Sequence, residues 1–295
     1  MAGVLLLIGV LVLAATTIDQ FATIARGGSG SGFVVPRLHE RVWQAALWLH
    51  RRHPSHRMLS AVGVTMLVAT PILWALALWA GFTMVFSAAE GAVVDPTTQV
   101  PATGMGRAYF AGLSVFTLGT GDLVAGSEGW RMASALASLM GLAMITLGIT
   151  YLVPVTQAAS ERRSLARQLR HDHEAAEAIG TASTEACEAV LESFAATRGL
   201  LAKVTEDHLS HHVLRYYHSL DETLSLPIRI NALHRQIEEI SAHHDLSTSA
   251  RAQLTALRVG VADLAKALAG ATGSSTADDI DLALKLDGRP LHHAR

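Results

Sequence analysis

The residues best suited to chemistry lie in the run Thr117-Leu118-Gly119-Thr120-Gly121-Asp122. Glycines one residue apart tolerate positive φ, so successive carbonyls can point the same way. Carbonyl oxygens that point the same way favour a cation. The ten residues from Gly106 are apolar enough for a helix but too few to cross a membrane. The C-terminal end of such a helix puts negative potential into the cavity that it faces. A helix that dips in and returns as irregular backbone is tolerated at membrane depth only where it is buried in protein or lines a wet cavity. The plainer reading of the run is a tight glycine turn joining two membrane helices. A second group is His208, His211 and His212, which would share one face of a helix. That spacing suits solvated histidines, a pH response or a divalent metal, although no fourth ligand is evident.

These groups need elements to hold them, and the composition says which. The 295 residues are 50% hydrophobic and only 16% charged, with a mean hydropathy of +0.32. Soluble domains carry about 25% charged residues. An ordinary soluble enzyme, a disordered chain and a nucleic-acid binder are therefore disfavoured. Residues 1–156 carry 8 basic and 6 acidic side chains, whereas 157–295 carry 15 and 19. The first part reads as membrane, the second as a water-facing domain. Cys187 is the single cysteine, so an intrachain disulfide is impossible, and it reads as a buried or half-buried thiol on a helix.

Three stretches are apolar enough to span: 1–25, interrupted by Asp19, then 58–89 and 132–160. About 20 apolar residues cross a hydrocarbon core of about 30 Å as a helix. The first stretch has no basic n-region and is long for a signal peptide, so it reads as a retained helix. Asp19 reads as a snorkelling or paired acid near Arg26, or else as a coupling or proton-sensing group. Six arginines lie in 26–57 and four in 161–170, against two in 90–131. By the positive-inside rule, 26–57 and the C-terminal part face the cytoplasm, and the N-terminus and 90–131 face outside. The glycine-serine run 27–32 reads as a linker. Residues 37–52 suit an interfacial helix with Trp43, Ala46, Leu47 and His50 on one face, or an ordinary connector.

The run 117–122 resembles the potassium-channel signature Thr-Val-Gly-Tyr-Gly-Asp. The likeness covers about 58–156 and includes an outer helix, a short pore helix, the filter and an inner helix. Tyr109 and Phe110 match the aromatic pair on the family's pore helix, so the resemblance implies that they support the filter. Gly141 falls near the family's inner-helix hinge glycine. Gly141 and Gly148 read equally as close-packing positions, and Pro154 equally as a gate kink or a helix end. One departure stands out: Thr120 replaces the filter aromatic, which puts potassium selectivity in doubt. Leu113 occupies the place where some members keep a buried acid.

Beyond 156, helices suit 157–179, 183–206, 208–224, 227–245 and 247–270, with a loosely ordered tail over 271–295. Neither a nucleotide-binding β-roll, nor a dinucleotide fingerprint, nor an arginine-repeat voltage sensor is visible.

The expectation is an all-α membrane protein with a tetrameric pore-loop channel fold. It has an N-terminal transmembrane helix (1–25), a basic linker with an interfacial helix (26–57), a pore domain (58–156) and a helical cytoplasmic domain (157–295). As the resemblance implies, the chain is expected to form a homotetramer in the inner (plasma) membrane. Monovalent cations, potassium foremost, would pass the carbonyls of 117–121 with Asp122 at the outer mouth. A nonselective cation channel and a non-conducting scaffold or sensor are the alternatives. Neither enzyme activity nor a cofactor is expected.

Overall fold

In the computed structural model, residues 2–25, 34–242, 245–270 and 275–288 are described. Ten helices carry most of this length: α1 Ala2–Ala25, α2 Val35–Arg52, α3 His56–Phe86, α4 Gly104–Val115, α5 Glu128–Ile179, α6 Thr184–Ser193, α7 Ala195–Ser210, α8 Leu226–Ser241, α9 Thr248–Ala269 and α10 Thr276–Leu286. One antiparallel pair joins β1 Val93–Val94 to β2 Val124–Ala125, with Val93 opposite Ala125. Three helices are long and apolar enough to cross a membrane: α1 over Ala2–Ile24, α3 and α5. The described chain divides into two compact units, with α3 divided between 66 and 67 and α5 between 153 and 154.

The first unit holds α1, α4, the upper part of α3 and the first half of α5. Small residues let α1 and α3 approach closely. A methyl on Gly9 would lie 2.9 Å from the Gly81 carbonyl oxygen, and one on Gly81 would lie 2.8 Å from Leu13. Lipid tails are as apolar as leucine, so such close packing, rather than water exclusion, joins helices in a bilayer. Asp19 is buried on this seam. Its carboxylate accepts from the Trp74 indole N–H at 3.1 Å and from the Val34 amide at 2.9 Å. Its described partners are thus two neutral donors, and Arg26 lies outside the described residues.

The second unit is a helical bundle around α9, which packs against α6, α7, α8 and α10. Leu254, Leu257, Val261, Leu264 and Leu268 recur at helical spacing and are buried. Ser247 caps α9 by accepting from the Ala250 amide, and left-handed Gly270 ends it.

Two sequence expectations fail in this unit. The helix expected over 208–224 stops at Ser210, and only short 3₁₀ turns follow at His212–Tyr216 and Glu222–Leu224. His211 leaves helical geometry at φ −123°, ψ 87°, and Asp221 captures the Thr223 amide, so side chain and tertiary packing outcompete the helix. The tail is not loose throughout. Ser275 caps α10, which buries Ile280, Ala283 and Leu284.

The interfacial reading of α2 also needs correction. Trp43, Ala46, Leu47 and His50 are buried against this unit, and the Trp43 indole donates to the Leu286 carbonyl at 3.0 Å. The face expected to meet lipid is therefore a protein-packing face. Outward point Leu38, Val42, Leu49 and Trp48, the last beneath the Arg52 guanidinium at 3.9 Å.

Candidate functional site

Every element around residues 117–122 lies in the first unit. Helix α4 opens where Thr103 Oγ1 accepts from the Gly106 amide at 3.1 Å. Twelve residues rise about 18 Å, well short of a membrane core. Apolar contacts and side-chain hydrogen bonds hold the helix. The Trp79 indole of α3 donates to the Ala108 carbonyl at 2.7 Å. Ser114 Oγ bonds Ser134 Oγ at 2.9 Å, and Ser138 of α5 donates to the Ser114 carbonyl at 2.9 Å. Phe110 is buried edge-on against Phe86 at 5.1 Å, and Phe86 in turn meets Trp130.

The chain leaves α4 in an ordered way. The Thr117 amide bonds the Ser114 carbonyl and the Leu118 amide bonds the Leu113 carbonyl at 2.9 Å. Left-handed residues then recur at every second position: Thr117 at φ 56°, Gly119 at 46° and Gly121 at 79°. Alternating handedness turns successive peptide groups to one side of the chain. Glycine adopts it freely, but β-branched Thr117 does so at a cost of about 1–3 kcal/mol, the kind of strain that collects at functional segments. Residues 117–122 are all exposed.

Tyr109 and Thr120 meet here. The phenol oxygen lies 3.4 Å from Thr120 Oγ1, a contact at the long limit of a hydrogen bond, and Thr120 also donates to the Asp122 carboxylate. Where the resemblance leads one to expect an aromatic brace, this chain has a hydroxyl chain from Tyr109 to Asp122. Behind the segment lies a cleft of about 270 Å³, lined among others by Leu113, Ser114, Thr117, Thr120, Ser134 and Ser138. Leu113 thus borders it with an apolar side chain. The three serines escaped the sequence reading. Their signal was Ser134 and Ser138 one turn apart in an otherwise apolar stretch. The return limb is pinned by β2 pairing with β1 and by the Gly126 amide on the Ala92 carbonyl at 3.0 Å.

Gly141 sits directly against the last turn of α4, where a methyl would overlap the Val115 carbonyl. Gly148 has more room, since a methyl there would meet Pro71 at 3.4 Å. Helix α5 runs without a break through Pro154 to Ile179, so the proline does not end it.

The three candidate metal-binding histidines do not form one face. His208 is in the last turn of α7 and buried, His211 is the residue after the helix, and His212 begins a 3₁₀ turn. Burial, then the nearby Arg162 charge, pushes the His208 pKa down to about 3, and its Nδ1 bonds the Val204 carbonyl at 2.9 Å. Burial followed by Arg215 lowers His212 to about 4. Both imidazoles are therefore neutral at pH 7, not solvated cations. Among the described residues no group of three or more His, Cys, Asp or Glu side chains is placed to hold a metal ion. His171 and His173 lie beside Arg170 and Glu177, and His243 and His244 fall outside the described residues. Cys187 is buried in α6, which raises its pKa.

No protein-family model matches the chain, and no solved structure matches it. It is similar to an uncharacterized membrane protein, YdjJ, of Bacillus subtilis (strain 168). The two are 28% identical over 227 residues, which cover 76% of this chain and 66% of the relative. The chain thus spans just under two thirds of that protein's length. With that relative and three apolar helices of spanning length, the chain is an all-α membrane protein.

Proposed function

We propose that this chain is one subunit of a homotetrameric cation channel, with potassium as the foremost permeant ion. One observation carries the reading: a twelve-residue half-helix between two spanning helices leads into backbone that is left-handed at 117, 119 and 121. One such loop per chain requires four chains around an axis to close a ring of carbonyls. Ions would shed water against the carbonyls of Thr117, Leu118, Gly119, Thr120 and Gly121, and Asp122 would concentrate cations at the mouth. The α4 dipole adds negative potential beneath them. The arginines of 26–57 and 161–170 favour a cytoplasmic second unit and a filter towards the outside of a plasma membrane.

The Thr120 substitution favours a second reading, a pore that passes sodium as well. A threonine hydroxyl tied to Tyr109 and Asp122 fills less space than an aromatic ring. Liposomes carrying the purified protein test both readings under potassium, sodium and chloride gradients. Potassium flux well above sodium supports the selective pore, and equal cation flux the nonselective one. A monomeric or dimeric protein without flux between pH 5 and 8 would make the chain a scaffold or sensor. Thr120→Tyr, measured alongside, is expected to raise the potassium-to-sodium ratio.

A further inference from the structure

A row of side chains in the second unit is used by nothing described so far. His56, in the first turn of α3, places Nδ1 2.9 Å from Nε2 of His218. The two rings lie within 10° of parallel. His218 Nδ1 is 3.0 Å from Asp287, just past the end of α10, and the His218 side chain is fully buried. The second Asp287 oxygen accepts from Ser225 at 2.9 Å. The His50 ring of α2 lies 4.9 Å from that of His56, and His50 Nδ1 accepts from the Ser55 amide. Three separate stretches of sequence thus meet: the α2–α3 elbow, the segment after the 3₁₀ turn and the C-terminal end of α10. Gly288 lies in the same place, against Leu47, His50 and Leu59.

Proton counting gives this row a property that a packed apolar contact lacks. Asp287 accepts, so His218 Nδ1 carries a hydrogen. The bond between the histidines then needs one hydrogen between two ring nitrogens, supplied by either ring. Neutral rings meet this, and so does a pair carrying one extra proton. With two extra protons, both facing nitrogens carry hydrogens, and a 2.9 Å approach of N–H against N–H cannot persist. The Asp287 carboxylate interacts with the Arg162 guanidinium of α5, Arg162 and Arg163 both line a cavity beside His218, and the His50 ring of α2 lies against His56. Arg162 is itself bound to the Leu214 and Tyr217 carbonyls. Arg162 offsets the Asp287 carboxylate, so the field of that acid does little to hold a second proton on the histidine pair.

We propose that His56, His218 and Asp287 form a proton-operated latch that clasps the start of α3 to the C-terminal end of α10 and releases it in acid. The released state binds one more proton than the clasped state. The ratio of released to clasped therefore rises about tenfold per pH unit while that proton enters. Any consequence for ion flux rests on the channel reading, so the latch is tested through exchange protection, which stands whether or not the protein conducts.

The test is hydrogen–deuterium exchange of the full chain in phosphatidylcholine nanodiscs at pH 8, 6.5 and 5, normalised for intrinsic exchange rates. Peptides over 53–60, 214–220 and 284–288 are expected to be equally protected at pH 8 and 6.5 and to lose protection together at pH 5. In His56→Gln, the amide still donates to His218 but takes up no proton, so protection is expected to persist at pH 5. His50→Gln, which keeps an acceptor for the Ser55 amide, is expected to retain the wild-type transition. Unchanged wild-type protection at pH 5 overturns the latch, as does a transition that survives His56→Gln or vanishes in His50→Gln. Should His56→Gln fail to fold, nitrogen-15 spectra of the wild-type histidines decide. Loss of the bonded ring pair at the pH where protection falls supports the latch, and two independent titrations with protection intact overturn it.

Discussion

Replacing Gly141 by alanine separates two roles for that glycine. A methyl there would overlap the Val115 carbonyl, which belongs to the backbone of α4 and cannot rotate away. Overpacking costs about 1–3 kcal/mol, and a clash with main chain belongs at the upper end. Alanine returns about 1 kcal/mol of helix propensity. The net loss is therefore about 2 kcal/mol. Gly148 on the same helix is the internal control, because its methyl would meet Pro71 at an ordinary 3.4 Å. Gly148→Ala keeps the propensity gain of about 1 kcal/mol, so the two variants should differ by about 3 kcal/mol. At about 2 °C per kcal/mol for a chain of this size, that is about 6 °C in apparent melting temperature. Thermal unfolding of the purified protein in detergent, followed by circular dichroism, measures it. Val115 lies two residues before Thr117, so Gly141→Ala should also displace the start of the left-handed segment and reduce any cation flux. If Gly141→Ala melts at or above the wild type, the close-packing account fails and a hinge that tolerates a methyl takes its place.

Asp19→Ala leaves the buried Trp74 indole N–H and the Val34 amide without their acceptor, which costs about 1–3 kcal/mol for each unsatisfied group. Asp19→Asn keeps one carbonyl acceptor and should lose about half as much, so equal melting of both variants would refute the hydrogen-bond explanation. His208 has a folded-state pKa near 3, below its ordinary value of about 6.5, so the unfolded chain binds the extra proton between those values. Stability is therefore expected to fall as pH drops from about 6.5 towards 3, by roughly 3 kcal/mol at pH 4, and His208→Gln should flatten that part of a urea-stability profile. Asp207 has the opposite sign. Burial and then its hydrogen bond with Glu161 raise its pKa to about 6, so its contribution is present below about 4 and is lost as pH rises through 6. After a discount for solvent screening, Asp207→Asn should gain about 1 kcal/mol at pH 7 in the same profile, and no gain would refute the assignment.

Some of this molecule was legible in its residues. The spans followed from charge-free length, because a bilayer allows few alternatives to a helix of about 20 apolar residues. The short helix before Thr117 and the left-handed glycines at 119 and 121 were legible too, because glycine spacing acts on local backbone freedom. The left-handed Thr117 was not, since a β-branched residue adopts that conformation only when its surroundings impose it. The α2 face of Trp43 and Leu47 had the right period but the wrong partner. Periodicity reports that a face is apolar and does not say whether lipid or protein covers it. The histidines at 208, 211 and 212 failed for a related reason: spacing places side chains together only if the helix continues, and α7 ends at Ser210.

The sequence by itself determined the membrane class, the division into an apolar and a polar part, and the glycine-rich run between two spans. Each depends on local composition or on intervals of a few residues, which act before any long-range contact forms. Tertiary structure alone decided that Ser138 bonds the end of α4, that Gly141 admits the Val115 carbonyl, and that His56 meets His218 and Asp287. Those pairs lie 24, 26, 162 and 69 residues apart. At such separations the chain gives no periodic signal, and only the packing of whole helices brings the partners to within a hydrogen bond.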